Sequence, residues 1–230
     1  MGVDVFFVIS GFLISGIILK DLAQRRFRFS TFYANRVRRI LPALLIILFA
    51  SYVFGGLTLA PEQYKQLAKH VAAGAGFVSN FVLLGEAGYF DNAAETKPLL
   101  HLWSLGVEEQ FYIFWPLLLW AFWKLRFNLL LVMAAIFSIS LYLNLAGIGG
   151  NAVSTFYSLQ TRLWELAFGA IIALLTTDKA NLAEIPSVTK INLWISSRPE
   201  TNRRLFSNAC SFLGALILIG GYVTIDKNVN

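Results

Sequence analysis

The 230-residue chain contains one cysteine, two histidines and few charged residues. A single cysteine, Cys210, excludes an internal disulfide framework and a cysteine-based metal site. Charged residues make up 14% of the chain, whereas soluble domains carry about a quarter. Hydrophobic residues make up 57%, which excludes a disordered chain and would leave large apolar patches on a soluble globule. This composition indicates an integral membrane protein.

Several signature motifs are also absent. The sequence has no Walker loop, Rossmann glycine pattern, HExxH or GxSxG, which are the usual marks of phosphate loops, dinucleotide sites, zinc proteases and serine hydrolases. We therefore predict no resident metal and no permanently bound cofactor.

Long apolar runs predict the fold class, because a bilayer crossing takes about 20 apolar residues. Glycines and Asn151 divide an uncharged stretch of the second half into two such runs. The 14-residue apolar piece at 71–84 is too short to cross and suits a re-entrant or interfacial segment. We predict an all-α integral membrane protein with about six transmembrane helices and this one short segment. The predicted spans are 3–19, 40–60, 104–123, 128–146, 158–176 and 205–225.

The basic residues predict the orientation of the spans. Fourteen of the 19 lysines and arginines fall in the loops 20–39, 124–127 and 177–204, which alternation places on one side. Basic loops face the cytoplasm, so we expect residues 85–100 to face outward. Because the basic clusters lie between apolar runs, they indicate membrane lipid as a partner and argue against nucleic acid.

Two adjacent carboxylates lie inside a predicted span. Ionisable groups within a membrane are costly and mark functional sites by default. Ser104, Glu108 and Tyr112 follow one another at four-residue spacing and share a helix face, whereas Glu109 points about 100° away. A buried carboxylate can act as an acid, a base or a hydrogen-bond acceptor. The alternative is that both carboxylates only bond neighbouring helices.

The two histidines differ in position. His101 lies at the predicted outer boundary of the span 104–123, where it is a candidate base or a hydrogen-bonding residue. His70 lies in a polar stretch, and we expect it at the surface.

Basic residues supply two further candidates. Arg162 and Glu165 are three residues apart inside a predicted span, where they can form a functional polar network or merely neutralise each other. Arg162 is also a possible partner for the carboxylates at 108 and 109. A second cluster, Arg36, Arg38 and Arg39, precedes an uncharged span. Guanidinium groups suit phosphates because they donate paired hydrogen bonds, although the positive-inside rule alone also accounts for this cluster.

Four sequence blocks together resemble one known family. The blocks Gly2–Ser15 (GVDVFFVISGFLIS), Phe32–Ala43 (FYANRVRRILPA), Pro98–Pro116 (PLLHLWSLGVEEQFYIFWP) and Arg162–Ala170 (RLWELAFGA) are similar to the acyltransferase-3 family. The likeness is greatest to membrane O-acetylases of surface polysaccharide and O-antigen, which often carry a periplasmic SGNH-type domain.

The resemblance implies a function. Such proteins move an acyl group, usually acetyl from acetyl-CoA, to a hydroxyl of a glycan or lipid-linked saccharide beyond the bacterial inner membrane. It makes Arg36, Arg38 and Arg39 candidates for binding the donor's phosphates. It makes Glu108, His101, Glu109 and Tyr112 candidate catalytic residues, and Ser104, Arg162 and Glu165 members of a core polar network.

The resemblance also implies missing parts. Family members have an Arg and a His on a helix before the GVDVFF block, as well as further C-terminal helices. We therefore expect residues 1–230 to be a partial transmembrane domain. The alternatives to an enzyme are an inactive membrane fragment and a transporter-like protein, although no internal repeat supports the latter.

Overall fold

The computed structural model describes residues 2–86 and 97–176, whose regular secondary structure is entirely helical. This confirms the predicted all-α class. The predicted span at 205–225, the loop 177–204 and most of the loop 85–100 lie outside the described residues. The helices are α1 (Gly2–Ala23), α2 (Phe29–Thr58), α3 (Pro61–Ala75), α4 (Ser79–Glu86), α5 (Leu102–Lys124), α6 (Leu129–Ile148), α7 (Ala152–Tyr157) and α8 (Leu159–Thr176).

Within these ranges, four helices are long and apolar enough to cross a membrane: α1, α2, α6 and α8. Five of the six predicted spans fall within these ranges, so the number found is one fewer. Helix α5 covers the predicted span 104–123 and has 23 residues, but Glu108, Glu109 and Gln110 make its first half polar. The prediction gave too much weight to its aromatic second half.

Helix α2 differs from its prediction at its start. It begins at Phe29 and contains 30 residues, so most of the predicted loop 20–39 is helical and only a short turn at 24–28 joins α1 to α2. In this turn Arg25 adopts a left-handed conformation, with φ of 53°. Arg36 and Arg39 therefore lie on a continuous helix. Pro42 lies inside that helix, as is tolerated in membrane helices.

The predicted re-entrant segment at 71–84 is divided between the end of α3 and helix α4. Between them Phe77 adopts a left-handed conformation, with φ of 55°. Its carbonyl oxygen accepts a hydrogen bond from Gln110 of α5 at 2.9 Å, and Gln110 also donates to the amide oxygen of Asn80 at 2.9 Å. These bonds fasten the α3–α4 turn to α5.

The division of the second apolar stretch agrees with the prediction. Helix α6 ends at Ile148, and Asn151 caps the short helix α7 by accepting a hydrogen bond from the Ser154 amide at 2.9 Å. Helix α8 then follows from Leu159, one residue after the predicted start.

Helices α1 and α8 pack backbone against backbone. A Cβ atom at Gly11 would lie 2.0 Å from the carbonyl oxygen of Leu166, and one at Gly169 would lie 2.0 Å from that of Val8. Only glycine fits at these two points of contact between α1 and α8. Many apolar side chains face away from the core, such as Phe49, Phe54 and Leu57, which are 69–82% exposed, as expected of a surface that contacts lipid.

Aromatic contacts show that two basic turns lie at the same end of the bundle. The ring of Phe29, at the start of α2, contacts the ring of Trp120, near the end of α5, with centroids 5.7 Å apart. The α1–α2 turn and the α5–α6 turn therefore lie together. The arginines of these turns, with Lys124 at the end of α5, form one basic end, as the charge-based orientation predicts.

Candidate functional site

A cavity of about 710 Å³ lies between α1, α2 and α5 and reaches the basic end of the bundle. One wall is the apolar face of α1. The lining residues are Phe6, Ile9, Ser10, Leu13, Ile14, Ile17 and Asp21 of α1; Arg26 and Arg28 of the turn; Thr31, Phe32, Asn35, Arg36, Arg39 and Ile40 of α2; and Leu105, Glu108 and Tyr112 of α5.

Exposed arginines line this cavity at two depths. Arg26 and Arg28 come from the α1–α2 turn at its mouth, and Arg39 lies about 15 Å along the axis of α2 from Phe29; all three are exposed. Arg26 and Arg28 were missed by sequence reasoning, which treated them only as part of a cytoplasmic loop. Their place at the mouth depends on the tight turn between α1 and α2.

Glu108 lies deeper in the cavity and is 5% exposed. Its carboxylate accepts hydrogen bonds from the Tyr112 hydroxyl, one turn further along α5, and from the Ser10 hydroxyl of α1. A second bond between these helices, from Trp115 Nε1 to the Ser15 hydroxyl at 2.8 Å, holds them in register. The carboxylate is thereby fixed by two hydroxyl donors facing the cavity.

Arg36 lies beside this group. Its guanidinium carbon is 3.6 Å from the centre of the Tyr112 ring, within the range of a cation–π contact. Its Nε and Nη2 atoms are buried and have no hydrogen-bond partner within the described ranges. Arg36 therefore occupies the same cavity as Arg39 but a different environment.

Glu109 faces away from the cavity. It is 8% exposed and does not line the cavity. Its Oε1 atom has no hydrogen-bond partner in residues 2–86 and 97–176, and the Arg36 guanidinium is the nearby positive charge that attracts it. The two adjacent carboxylates thus have different surroundings.

Arg162 belongs to a separate network. Its Nη1 atom contacts Asp4 Oδ1 of α1 at 2.9 Å and Glu165 Oε1 at 2.8 Å. Its guanidinium also lies 5.0 Å from the ring centre of Phe156. The predicted pairing of Arg162 with the carboxylates at 108 and 109 is wrong, because Asp4 and Glu165 occupy the guanidinium.

Three further predicted site residues also lie outside the cavity. The Ser104 hydroxyl donates to the His101 carbonyl oxygen at 3.1 Å, so Ser104 is bonded to its own helix start and not to the Arg162–Glu165 network. His101 is exposed at the N-cap of α5. Arg38 is exposed and does not line the cavity, because it lies on another face of α2.

A further charged cluster surrounds Glu86, outside the long apolar helices. Its carboxylate contacts Lys69 Nζ at 2.8 Å, His70 Nε2 at 3.1 Å and Lys97 Nζ at 3.3 Å. His70 is 6% exposed, so its predicted surface position is wrong.

The cluster shifts the pKa of two of its members. Burial lowers the pKa of His70, against the opposing attraction of Glu86. The pKa of Glu86 is also lowered, since its bonds to Lys69 and Lys97 and the nearby His70 outweigh the effect of burial.

Comparison with known proteins places these residues in context. The sequence profile of a family described as an acyltransferase domain matches residues 1–225. The putative O-acetyltransferase SACOL0978 of Staphylococcus aureus is 34% identical over 199 residues, which cover 83% of this chain and 32% of that protein. O-acetyltransferase OatA of S. aureus is 32% identical over 181 residues, covering 76% of this chain and 30% of its own.

An uncharacterized protein of Haemophilus influenzae is 40% identical over 116 residues, covering 50% of this chain and 47% of that protein. The chain thus spans a third to a half of the length of these relatives. No solved structure matches.

Proposed function

The chain belongs to the acyltransferase family whose domain it matches, and from this premise we propose that it forms part of a membrane O-acyltransferase. The acyl group is acetyl, taken from acetyl-CoA. The acceptor is a hydroxyl of a cell-surface glycan or lipid-linked saccharide, such as the lipopolysaccharide O-antigen. The enzyme works in the bacterial inner membrane with the basic end of the bundle in the cytoplasm. Relatives named as O-acetyltransferases support this choice of reaction.

The cavity supports the choice of donor. Coenzyme A carries several phosphates at one end and an acyl thioester at the other. The two exposed arginines at the cavity mouth, Arg26 and Arg28, suit phosphate groups, because a guanidinium donates two parallel hydrogen bonds to phosphate oxygens. The apolar face of α1 provides a wall along which the uncharged part of the donor can extend.

Glu108 is the group best placed for proton transfer. It faces the cavity and is oriented by two hydroxyl donors. Transfer of an acyl group to a hydroxyl requires a base for the hydroxyl proton and an acid for the leaving thiolate. One carboxyl group can serve both steps in turn. We assign this role to Glu108, with Tyr112 and Ser10 as the residues that hold it.

The proposal depends on one observation: the same cavity has arginines at its mouth and a hydrogen-bonded carboxylate deeper inside. Membranes containing the full-length protein would be incubated with radiolabelled acetyl-CoA, and label in extracted glycan would be measured. We expect Glu108→Gln to abolish labelling at normal expression. Glu62→Gln, an exposed carboxylate in the first turn of α3, is the matched control and should keep wild-type labelling. Full labelling with Glu108→Gln would overturn the assignment of Glu108, and no labelling by the wild type would overturn the function.

A further inference from the structure

The arginines that line the cavity differ in depth and burial. Arg26 and Arg28 are exposed at the mouth. Arg36 is half-buried and packs on Tyr112, about 12 Å along the axis of α2 from Arg28, and Arg39 lies about 4.5 Å beyond Arg36. A donor that is charged at one end and neutral at the other would meet the mouth arginines and Arg36 at different atoms.

Arg36 lies next to Glu108, the proposed acid–base residue, and not at the mouth of the cavity. It packs on the ring of Tyr112, which is 3% exposed and whose hydroxyl donates a hydrogen bond to Glu108. A planar guanidinium against an aromatic face has a fixed orientation. Arg36 is therefore held in place beside Glu108.

The hydrogen-bonding state of Arg36 is unusual. Its Nε and Nη2 atoms are buried without a hydrogen-bond partner among residues 2–86 and 97–176. Most buried donors are paired, and an unpaired one calls for an explanation. A cation fixed in advance and incompletely bonded is suited to negative charge that develops only during a reaction.

We propose that Arg36 acts on the thioester end of the donor, where it stabilises the negative charge on the acyl carbonyl oxygen during transfer, while Arg26 and Arg28 bind the phosphates. This inference rests on the proposed acyl-CoA donor. It removes Arg36 from the phosphate ligands among which the family resemblance had placed it.

The chemical step requires such a cation. The acceptor oxygen bonds to the acyl carbon as Glu108 takes the hydroxyl proton, and the carbonyl π electrons move onto the carbonyl oxygen. The oxyanion is stabilised by Arg36. When the carbonyl reforms, the carbon–sulfur bond breaks and the coenzyme thiolate leaves, receiving the proton from Glu108. The products are an ester and the free thiol, with no oxidant or reductant needed.

The test compares binding with turnover in the full-length protein. Binding of CoA, which has the phosphates but no acyl group, is measured together with the kcat of acetyl transfer. For Arg36→Gln we expect a CoA Kd within about twofold of wild type and a kcat lower by roughly 100-fold or more, as for loss of an oxyanion donor. For Arg28→Gln we expect a CoA Kd raised roughly tenfold, as for loss of a charged hydrogen bond, with a smaller loss of kcat. Arg126→Gln, an exposed arginine of the α5–α6 turn that does not line the cavity, should match wild type in both.

Folding and the proposed function are controlled separately. Size-exclusion profiles identify any variant that fails to fold, and Arg36→Lys provides a variant that keeps the charge but loses the planar stacking. For it we expect wild-type CoA binding and a kcat between those of wild type and Arg36→Gln. If either Arg36 variant folds and weakens CoA binding as much as Arg28→Gln, Arg36 is a phosphate ligand and the inference is wrong. Wild-type kcat in Arg36→Gln would also overturn it. A wild-type protein that binds CoA but transfers no acetyl group would instead overturn the proposed function.

Discussion

Arg162 and Asp4 are 158 positions apart in the sequence and form an ion pair at 2.9 Å between α8 and α1. The same guanidinium nitrogen contacts Glu165, whose side chain is fully buried. The pair thus joins the first and last described helices and neutralises a carboxylate that water cannot reach.

We predict that replacing Arg162 destabilises the protein more than replacing Asp4. Arg162→Met leaves Glu165 buried without a counter-charge and should lower the free energy of unfolding by about 3–5 kcal/mol. Asp4→Asn should cost about 1 kcal/mol or less, because the Asp4 side chain is 39% exposed. Thermal unfolding in detergent measures both. Equal losses would show that Arg162 does not serve chiefly to neutralise Glu165.

The close crossing of α1 and α8 predicts a steric effect. Gly11→Ala places a methyl group 2.0 Å from the Leu166 carbonyl oxygen, so the helices must separate and stability should fall by several kcal/mol, as for severe overpacking. Gly16→Ala is the matched control on the same helix, since nothing lies within 4 Å of its added Cβ. Its stability should be unchanged or raised by up to about 1 kcal/mol. A tolerated Gly11→Ala change would contradict the crossing.

Glu109 should differ from Glu108 in what its loss affects. Glu109→Gln removes the negative charge close to Arg36 and leaves that guanidinium less compensated within the bundle. We expect lower yield or thermal stability with most of the turnover per folded molecule retained. Glu108→Gln should show the reverse, with normal yield and no turnover. Loss of turnover at normal yield for Glu109→Gln alone would reverse the two roles.

The Glu86 cluster predicts that acid destabilises the protein. Because burial lowers the pKa of His70 below its usual 6.5, the unfolded chain binds the proton more readily, and stability falls as the pH drops through 6.5. The lowered pKa of Glu86 adds a second loss as the pH drops through its usual 4.5. His70→Gln should abolish the first loss, because glutamine does not titrate there, and should leave only the part of the second that Lys69 and Lys97 cause. Melting temperatures measured from pH 8 to 4 test this, and an unchanged slope near pH 6.5 in His70→Gln would contradict it.

The orientation of the bundle predicts labelling from one side. In a Cys210-free background, we expect Gly85→Cys, an exposed position with nothing within 4 Å of its Cβ, to react with an impermeant thiol reagent added outside the cell. Arg28→Cys, at the basic end, should react only after the membrane is opened. Rapid labelling of Arg28→Cys in intact cells would invert the topology.

Much of the helical architecture could be predicted from local sequence. Uncharged runs and the glycine-rich turn before Asn151 placed α1, α6 and α8 within a few residues, since these signals act over neighbouring positions. The start of α2 was mispredicted because basic residues mark both loops and helix ends. The division of 71–84 between two helices was not predicted, because it depends on Gln110 of α5, which bonds the turn at Phe77.

The candidate site was predictable only in part, for the same reason. Helical spacing by itself placed Glu108 with Tyr112 and turned Glu109 away, and composition alone determined that the chain is an α-helical membrane protein. The tertiary structure decided which residues from other helices complete the site. Ser10 bonds Glu108, and Arg36 packs on Tyr112. Arg162 pairs with Asp4 and not with Glu108 or Glu109. Helical periodicity and hydropathy determine which face of a helix is apolar, but they do not show which other helix packs against that face. That choice follows from side-chain fit between distant segments, such as the glycine crossing of α1 and α8, and exists only once the helices are packed.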